Sequence, residues 1–444
     1  MRRFSRVLLA IFLGFCLTAA SFAIDVPLKY QKHPAEPEDF YPYGGNGFTV
    51  TLKAPSGDWK FPTLVSEKAL YTFVKIGDAE RLVVLDKQKE DAKFYDRIYF
   101  DSNGNNDLTD DPHLDGTIRF FSNNQYCNVD FQVVDTEIKI DGKSLPFSFS
   151  PRIFGYMLEQ LAKSEFDEKS VSQYINFMVN LNCSYTGEFK IGNQKYNVVL
   201  GDSDCNGRFS DRFSVYKFEK PPPGRMRVFG QGDGFYISTG DKIEAFDVLN
   251  LGDMLLVKDK LFKVSISTAE GKMTLTPLTE NLVSLQLAAD TERFSIYSED
   301  EKHCLMAYQP DKKIKVPAGK YRLFNYQILK KDKQGDLWRL NATATTESPW
   351  ITVEGKGKSV VEFGEPYVPV VEVRVRGNTS RASIGFDIEG KAKEFVTDLS
   401  HIAGDRTQIP LSEGENLGHR PKEPTYKIVK TDGEVVTQGS FEYG

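Results

Sequence analysis

Apolar and polar residues alternate along most of this chain, in short runs that end at turn residues. The clearest run places apolar residues on one face and amides on the other: Ile175, Phe177, Val179 and Leu181 against Asn176, Asn180 and Asn182. A period of two residues is typical of a half-buried β-strand, whereas a helix repeats every 3.6 residues. We therefore predict a β-strand here, and similar runs predict strands along most of the chain.

Two-residue turn signals separate several of these runs. Asp141-Gly142, Gly192-Asn193 and Asp432-Gly433 each lie between apolar segments and predict β-hairpins. The best helix candidate is Ile153 to Ala162. The phrase from Phe73 to Leu85 is echoed by the phrase from Phe189 to Leu200, which suggests a weak internal duplication. The fold class that follows is all-β and multi-domain, with β-sandwich modules and little helix.

The chain is long enough for several domains. Val316-Pro317-Ala318-Gly319-Lys320-Tyr321 resembles a strand of prealbumin-like and carboxypeptidase-regulatory-like modules, and the last segment, with its closing hairpin, resembles an immunoglobulin-like module. We expect a signal peptide over 1–23, a β-rich domain over 24–150, a second over 151–282, a small sandwich over 283–364 and an Ig-like sandwich over 365–444.

Two acidic stretches carry the strongest chemical signal. The first loop runs from Asp101 to Asp110 and the second loop from Asp202 to Asp211, and both fit the pattern D-S-[DN]-x-N-[GN]-x-[LF]-[ST]-D. Each follows a predicted strand. Oxygen-bearing side chains at alternate positions suit Ca²⁺, because this hard cation takes roughly six to eight oxygen ligands.

Both loops resemble the calcium loops of EF-hand and dockerin proteins, and more closely the shortened strand–loop versions of exported bacterial β-proteins. The resemblance implies side-chain ligands at positions one, three, five and ten and a backbone carbonyl at position seven. These residues are Asp101, Asn103, Asn105, Asp107 and Asp110 in the first loop and Asp202, Asp204, Asn206, Arg208 and Asp211 in the second. Pro112 and Phe213 replace the acid of position twelve, so Asp110 and Asp211 are its substitutes, and Asp111 is placed to assist the first site.

The centre and the exit of each loop have their own requirements. A tight curl needs a residue that tolerates positive φ, which Gly207 supplies easily and Asn106 less comfortably. Leu108 and Phe209 are expected to anchor the loop exits in the core. More acids surround the first loop, so the sequence ranks it as the tighter site. The alternative is that both stretches are ordinary Asx-turns, since Asp, Asn, Gly and Ser dominate turns for local reasons.

The beginning of the chain predicts export. Arg2, Arg3 and Arg6 precede an apolar run, and Ser21-Phe22-Ala23 forms a small-residue cleavage site. That run is short for a membrane span, and no second apolar run of membrane length follows. Without the signal, 53 basic and 62 acidic residues give a net charge of −9. This balance argues against a nucleic-acid partner, which needs a basic face.

Four cysteines remain after cleavage: Cys127, Cys183, Cys205 and Cys304. In an oxidising compartment a disulfide can form, and Cys183 and Cys205 are the best-placed pair because they flank the Gly192-Asn193 turn. Four buried free thiols are the equal alternative. The adjacent His303 and Cys304 do not predict a nucleophile pair, because neighbours on a strand point to opposite faces.

The usual catalytic motifs are missing from the sequence, including G-x-S-x-G and H-E-x-x-H. The expected function is therefore that of an exported, calcium-binding, non-catalytic protein of the periplasm, cell envelope or surface, with a protein or glycan ligand. An extracellular, glycan-active hydrolase with calcium-stabilised loops is the alternative, because spatial pairs of carboxylates cannot be read from sequence.

Overall fold

The computed structural model describes residues 22–34, 42–122, 125–156, 167–220, 224–240, 243, 247–355, 359–375, 382–402 and 423–441. Strands follow one another through these residues with little helix between them. The all-β fold class is therefore confirmed. The predicted signal peptide lies outside the described residues, apart from Phe22 and Ala23, and so does the Pro221-Pro222-Pro223 run.

The strands as far as the second loop are β1 (Ile24–Pro27), β2 (Lys29–Lys32), β3 (Gly45–Thr49), β4 (Leu70–Ile76), β5 (Ala79–Asp86), β6 (Arg97–Phe100), β7 (Leu114–Asp115), β8 (Thr117–Phe121), β9 (Tyr126–Asp130), β10 (Val134–Ile140), β11 (Lys143–Tyr156), β12 (Ile175–Leu181), β13 (Cys183–Ile191) and β14 (Gln194–Gly201). One short helix, α1 (Glu168–Tyr174), precedes β12. The Asp167 carboxylate caps it by accepting a hydrogen bond from the Ser170 amide at 2.8 Å.

After the second loop come β15 (Ser214–Val215), β16 (Gly230–Gln231), β17 (Gly234–Ser238), β18 (Val248–Asn250), β19 (Met254–Val257), β20 (Lys260–Ser267), β21 (Lys272–Pro277), β22 (Leu282–Leu287), β23 (Arg293–Ser298), β24 (Cys304–Tyr308), β25 (Lys313–Pro317), β26 (Gly319–Lys331), β27 (Leu337–Thr343), β28 (Trp350–Val353), β29 (Ser359–Val361), β30 (Val368–Val375), β31 (Ala382–Glu389), β32 (Phe395–Ile402), β33 (Thr425–Val429) and β34 (Val435–Ser440). A 3₁₀ turn, Thr268–Glu270, joins β20 to β21.

Four sheets position the two acidic loops. A four-stranded sheet has the order β4-β5-β6-β7, and a five-stranded sheet has the order β18-β17-β14-β13-β2. A six-stranded sheet, β3-β12-β11-β9-β8 with β10 beside β11, packs close to them. The largest sheet runs β1-β21-β20-β19-β24-β23-β26-β27-β32-β31-β30, with β28 beside β26. It joins β1, near the start of the described chain, to strands as late as β32.

One hydrophobic core lies among these sheets. It contains Leu85 of the four-stranded sheet, Phe177 of the six-stranded sheet, Leu200 of the five-stranded sheet and Leu275 of the largest sheet. A second core is built from residues between Met254 and Ala392. The first core and β11 both cross the boundary placed at residue 150, so the sheets do not follow that division. The four-module organisation stays a prediction.

The predicted hairpins form. Ile140 pairs with Lys143 across the Asp141-Gly142 turn, and Ile191 pairs with Gln194 across Gly192-Asn193. β33 and β34 likewise pair across the Asp432-Gly433 turn. The two echoed phrases are equivalent hairpins, β4–β5 and β13–β14. The two acidic loops follow these hairpins at different points. The second loop follows β14, the second strand of its hairpin, whereas the first loop follows an additional strand, β6.

Two local predictions are corrected. The helix predicted from Ile153 to Ala162 is wrong for residues 153–156, which end β11, because Ile153 pairs with Phe177 on one side and Val129 on the other. The remaining residues, 157–162, lie outside the described chain. Asn182 was expected on the outer face but is buried, because β12 ends at Leu181. The side-chain amide of Asn182 donates a hydrogen bond to the Pro34 carbonyl at 3.0 Å.

Candidate metal centre

Both acidic loops begin where a strand leaves its sheet. The first loop follows β6, and the Asp101 amide still donates to the Leu82 carbonyl on β5 at 3.0 Å. The second loop follows β14 directly. The first aspartate of each loop is buried, with Asp101 1% exposed and Asp202 fully enclosed. Each sheet therefore holds one carboxylate at a fixed place at the strand end.

That first aspartate organises the backbone in the same way in both loops. The Asp101 carboxylate accepts hydrogen bonds from the amides of the fifth and sixth residues, at 3.1 and 3.3 Å. The Asp202 carboxylate accepts from the same two positions at 3.2 and 2.6 Å. Because the donors match position by position, the two backbones curl around their first carboxylate alike.

The curl uses left-handed residues, as the sequence predicted for the sixth position. Asn106 has φ of 65° and Gly207 has φ of 87°. The fourth position is also left-handed, with φ of 71° at Gly104 and 55° at Cys205, which the sequence analysis did not anticipate. A cysteine in this conformation is strained, so tertiary contacts of the second loop must hold it.

The predicted side-chain ligands meet inside each loop. In the first loop, the Asn105 amide nitrogen lies 2.8 Å from Asp110 Oδ2, and the Asn103 amide nitrogen lies 3.4 Å from the same oxygen. In the second loop, the Asn206 amide nitrogen lies 2.5 Å from Asp211 Oδ2 and 3.2 Å from Asp204 Oδ2. An asparagine side chain can turn to present its oxygen instead of its nitrogen. These positions can therefore surround one cation.

The side chains of the seventh residues, Asp107 and Arg208, form ion pairs outside their loops, so only the backbone of each faces the loop interior. Asp107 Oδ2 lies 2.6 Å from Lys60 Nζ, and this hydrogen bond lowers the pKa of Asp107 to about 2. Arg208 reaches outward to Asp78 at 2.6 Å and to Asp141 at 3.3 Å. Any contribution of Asp107 or Arg208 to an ion would come from the carbonyl group, as the resemblance implied.

The eighth residues anchor the loop exits as expected. Leu108 is fully buried in a small cluster with Leu82, Val84 and Tyr99. Phe209 is 1% exposed in the first core, with its ring 4.9 Å from that of Tyr185 in an edge-to-face arrangement. Each loop is thus fixed at its start by a buried aspartate and near its end by a buried apolar side chain.

Asp233 joins the second loop and was missed by the sequence analysis. One carboxylate oxygen each from Asp202, Asp204 and Asp233 lies within 4.8 Å of the others. Asp233 Oδ1 accepts from the Ser203 amide at 3.0 Å and Oδ2 from the Asp211 amide at 2.7 Å. The local sequence around Asp233, Gly232-Asp233-Gly234, has no pattern typical of metal binding. Asp233 reaches the second loop only because β14 pairs with β17.

Burial and like charge act on these carboxylates together. The pKa of Asp233 is raised to about 8, chiefly by burial and also by the carboxylates of Asp211 and Asp204, against two backbone amide hydrogen bonds that lower it. Burial also raises the pKa of Asp202 well above its usual value, with Asp233 and Asp204 adding to the effect. The cluster therefore needs protons or a cation to be stable in the folded protein.

Asp111 plays the corresponding part in the first loop. Its Oδ1 accepts from the Ser102 amide at 3.2 Å and from the Ser102 hydroxyl at 2.5 Å. The second residue of the second loop, Ser203, gives its amide to Asp233 in the same way. The sequence analysis placed Asp111 as an assistant to the first site, and its carboxylate does lie against that loop.

The predicted Cys183–Cys205 disulfide is not formed, and all four cysteines are free and buried. The pairing of Tyr185 with Leu200 places Cys183 beside Asp202 rather than Cys205, because Cys205 lies beyond the end of β14. Burial raises the pKa of Cys183 to about 12 and that of Cys127 to about 11. The thiols therefore stay protonated.

His303 and Cys304 do not act on each other. His303 Nδ1 lies 2.8 Å from Asp253 Oδ2. The other carboxylate oxygen, Asp253 Oδ1, accepts a hydrogen bond from the Cys304 backbone amide at 2.7 Å. The Cys304 side chain is buried, and burial raises the pKa of its thiol far above the usual value. The carboxylate thus joins an exposed imidazole to the backbone of β24.

Comparison of the chain with protein-family models, with curated proteins and with solved structures gives no match. Among the described residues, the helices are too short and too polar to cross a membrane. The two loops are therefore the features from which a function can be inferred.

Proposed function

We propose that this is an exported, non-catalytic, calcium-binding protein of the cell envelope or surface, in which calcium fastens two strand-end loops. The observation that carries the proposal is the matched construction of the loops. Both bring the side chains of positions three, five and ten together and curl the backbone around the carboxylate of position one. Both also add a carboxylate that accepts a hydrogen bond from the amide of position two.

Electrostatics supports a bound cation. Asp202 and Asp233 are at most 1% exposed, and with Asp204 their oxygens lie within 4.8 Å. Like charges at such distances repel strongly in a low-dielectric surrounding. At neutral pH a divalent cation removes this repulsion without requiring protonation. Calcium suits a flexible all-oxygen loop better than magnesium, which demands near-ideal octahedral geometry.

The role proposed for calcium is structural. Each loop connects the end of a strand to a buried apolar residue, Leu108 or Phe209, so an ion at the loop would hold that residue in its core. An extracellular site of this type binds at roughly 0.1–1 mM and would remain occupied outside the cell. At about tenfold excess over Kd, binding to the folded state adds about 1.4 kcal/mol per site.

Export is supported by the position of the first strand. β1 begins at Ile24, the residue after the proposed cleavage site, and Ile24 pairs with Leu275 at the edge of the largest sheet. A mature chain that starts there would use its first residues in the fold. N-terminal sequencing of the exported protein tests this, and a start well inside β1 would contradict it.

The hydrolase alternative has less support. Tyr216, Phe218 and Phe229 form an exposed aromatic cluster, with ring centroids 4.8 and 5.7 Å apart. The carboxylates that pair with basic residues of the segment 214–231 are those of Glu301, Glu347, Asp387 and Glu389, and among the described contacts each is already bound to Lys217, Arg225 or Arg227. An acid–base pair of carboxylates is what glycoside hydrolysis would require. We therefore keep the binding protein, with a protein or glycan ligand, as the proposed function.

The deciding experiment is thermal unfolding of the mature protein in chelator, in calcium and in magnesium. We expect calcium to raise the melting temperature and to slow protease cutting within residues 101–111 and 202–211, since ligand binding stabilises the folded state. Equal protection by magnesium, or no effect of chelation, would leave the Asx-turn reading in place.

A further inference from the structure

The two loops obtain their closing carboxylate from different places. Asp111 directly follows the first loop, at position eleven counted from Asp101, and its carboxylate accepts a hydrogen bond from the Ser102 amide. In the second loop, position eleven is Arg212, whose guanidinium donates to the Val264 carbonyl at 3.0 Å. The matching contact, to the Ser203 amide, comes from Asp233 at the start of β17. The two loops curl alike around their first carboxylate but differ in the residue that supplies the closing carboxylate.

The neighbouring strand carries opposite charge in the two cases. β5 lies beside the first loop and presents Arg81, which is 6% exposed and donates to the Glu137 carbonyl at 2.8 Å. The charges of Asp101 and Asp111 both act on this guanidinium. β17 lies beside the second loop and presents a carboxylate, Asp233. A fixed positive charge thus adjoins one loop and an additional negative charge adjoins the other.

Two buried atoms beside the first loop have no hydrogen-bond partner. They are Arg81 Nε and Asp111 Oδ2, and Asp111 is 9% exposed. A buried carboxylate oxygen without a donor is costly to leave unsatisfied, and it has a lone pair available to a cation. The first loop therefore retains an oxygen for an ion, but an arginine that cannot lose its proton opposes that ion.

Among the described residues around the second loop, both neighbouring arginines are bound elsewhere. Arg208 is turned outward to Asp78 and Asp141, and Arg212 bonds to a backbone carbonyl. Within the described part of the chain, no lysine or arginine forms an ion pair with Asp202, Asp204 or Asp233. Protons or an external cation therefore remain to offset the charge of the three carboxylates.

We propose, building on the calcium binding proposed above, that the second loop is the high-affinity calcium site with Asp233 as a ligand from outside the loop, and that Arg81 weakens the first loop by acting as its built-in counter-ion. This ranking is the reverse of the one that the loop sequences suggest, because the deciding charges, Arg81 and Asp233, come from neighbouring strands.

Single-loop backgrounds test the proposal. Asp202→Asn is meant to disable the second loop, so that calcium binding reports on the first loop alone. Asp101→Asn is meant to disable the first loop, so that calcium binding reports on the second loop alone. Calorimetric titration of chelator-treated protein with CaCl₂ should show that Asp101→Asn retains the tight site and that Asp202→Asn loses it. Adding Asp233→Asn to the Asp101→Asn background should weaken binding by at least about tenfold, because losing even a residue that supports a metal ligand typically costs about 10–100-fold in affinity.

The arginine is tested in the other background. Adding Arg81→Gln to Asp202→Asn should tighten the first loop by about tenfold or more, whereas Arg81→Lys, which keeps the charge, should not. Asp253→Asn is the control for Asp233→Asn, since both carboxylates accept backbone amides. Arg339→Gln is the control for Arg81→Gln, since Arg339 is 5% exposed. Circular dichroism checks that each variant is folded.

The outcomes separate the two proposals. Loss of the tight site in Asp101→Asn, or equal affinities in the two single variants, would overturn the ranking while leaving calcium binding intact. An absence of calcium binding in the unmodified protein would overturn the proposed function itself. If Arg81→Gln does not fold, the comparison of Asp101→Asn with Asp202→Asn still decides the ranking.

Discussion

Asp202 and Asp233 leave the five-stranded sheet side by side. Gly201 ends β14 and pairs with Gly234, which begins β17, so the residue after one strand meets the residue before the other. Both aspartates are at most 1% exposed. Two carboxylates forced together in this way store electrostatic repulsion that protons or a cation must relieve.

The first prediction concerns pH. The folded-state pKa of Asp233 is about 8, above the usual value near 4 that applies to the unfolded chain. Between these values the folded state binds more protons, so calcium-free protein should lose stability as pH rises from about 5 to 8. One group contributes at most about 1.4 kcal/mol per pH unit.

Thermal unfolding in chelator across that pH range measures the effect. Asp233→Asn should make the profile less steep, because an amide does not titrate while the buried Asp202 still does. Saturating calcium should flatten the profile of the unmodified protein. A stability that rises with pH in chelator would contradict this prediction.

The second prediction concerns Gly207. A Cβ at this position would lie 2.3 Å from Ile138 Cδ1 and 3.3 Å from the Gly77 nitrogen, in addition to the strain of φ at 87°. Gly207→Ala should lower the free energy of unfolding by about 2–4 kcal/mol, combining overpacking with left-handed strain.

Gly142→Ala is the matched control for that change. Gly142 has φ of 77°, and nothing lies within 4 Å of its Cβ position, so it reports strain alone, about 1 kcal/mol. Urea unfolding of both variants isolates the steric part. Equal losses would show that the loop does not pack tightly against the β4–β5 turn.

The third prediction concerns the exit of the second loop. Phe209→Ala should cost about 3–5 kcal/mol, because the ring is buried in the first core against Tyr185. Phe121→Ala removes a ring that is 46% exposed and should change stability by less than about 1 kcal/mol. Denaturant unfolding in calcium compares the two, and a similar cost for both would place Phe209 outside the core.

The fourth prediction concerns the thiols. Cys127, Cys183, Cys205 and Cys304 are free and buried, and burial keeps them protonated. Alkylation should be negligible in the native protein and should reach all four cysteines in denaturant without reductant. Mass spectrometry counts the modified residues, and only two of them modified in denaturant would reveal a disulfide.

The interior of each loop was predictable because its interactions are local. Positive φ at Asn106 and Gly207, the burial of Leu108 and Phe209 and the meeting of positions three, five and ten all arise within one ten-residue stretch. Strand alternation and the two-residue turns are equally local. These features identified the all-β class and the ten candidate ligands.

Tertiary structure decided everything that depends on which strands are neighbours. Asp233 reaches the second loop only through the pairing of β14 with β17, and Arg81 reaches the first loop only because β5 lies beside β6. The same cause separates Cys183 from Cys205 and carries one core across the boundary at residue 150. The sequence by itself therefore determined the loops, and sheet pairing decided the charges around them, because electrostatic interactions act between residues that are close in space whatever their separation along the chain.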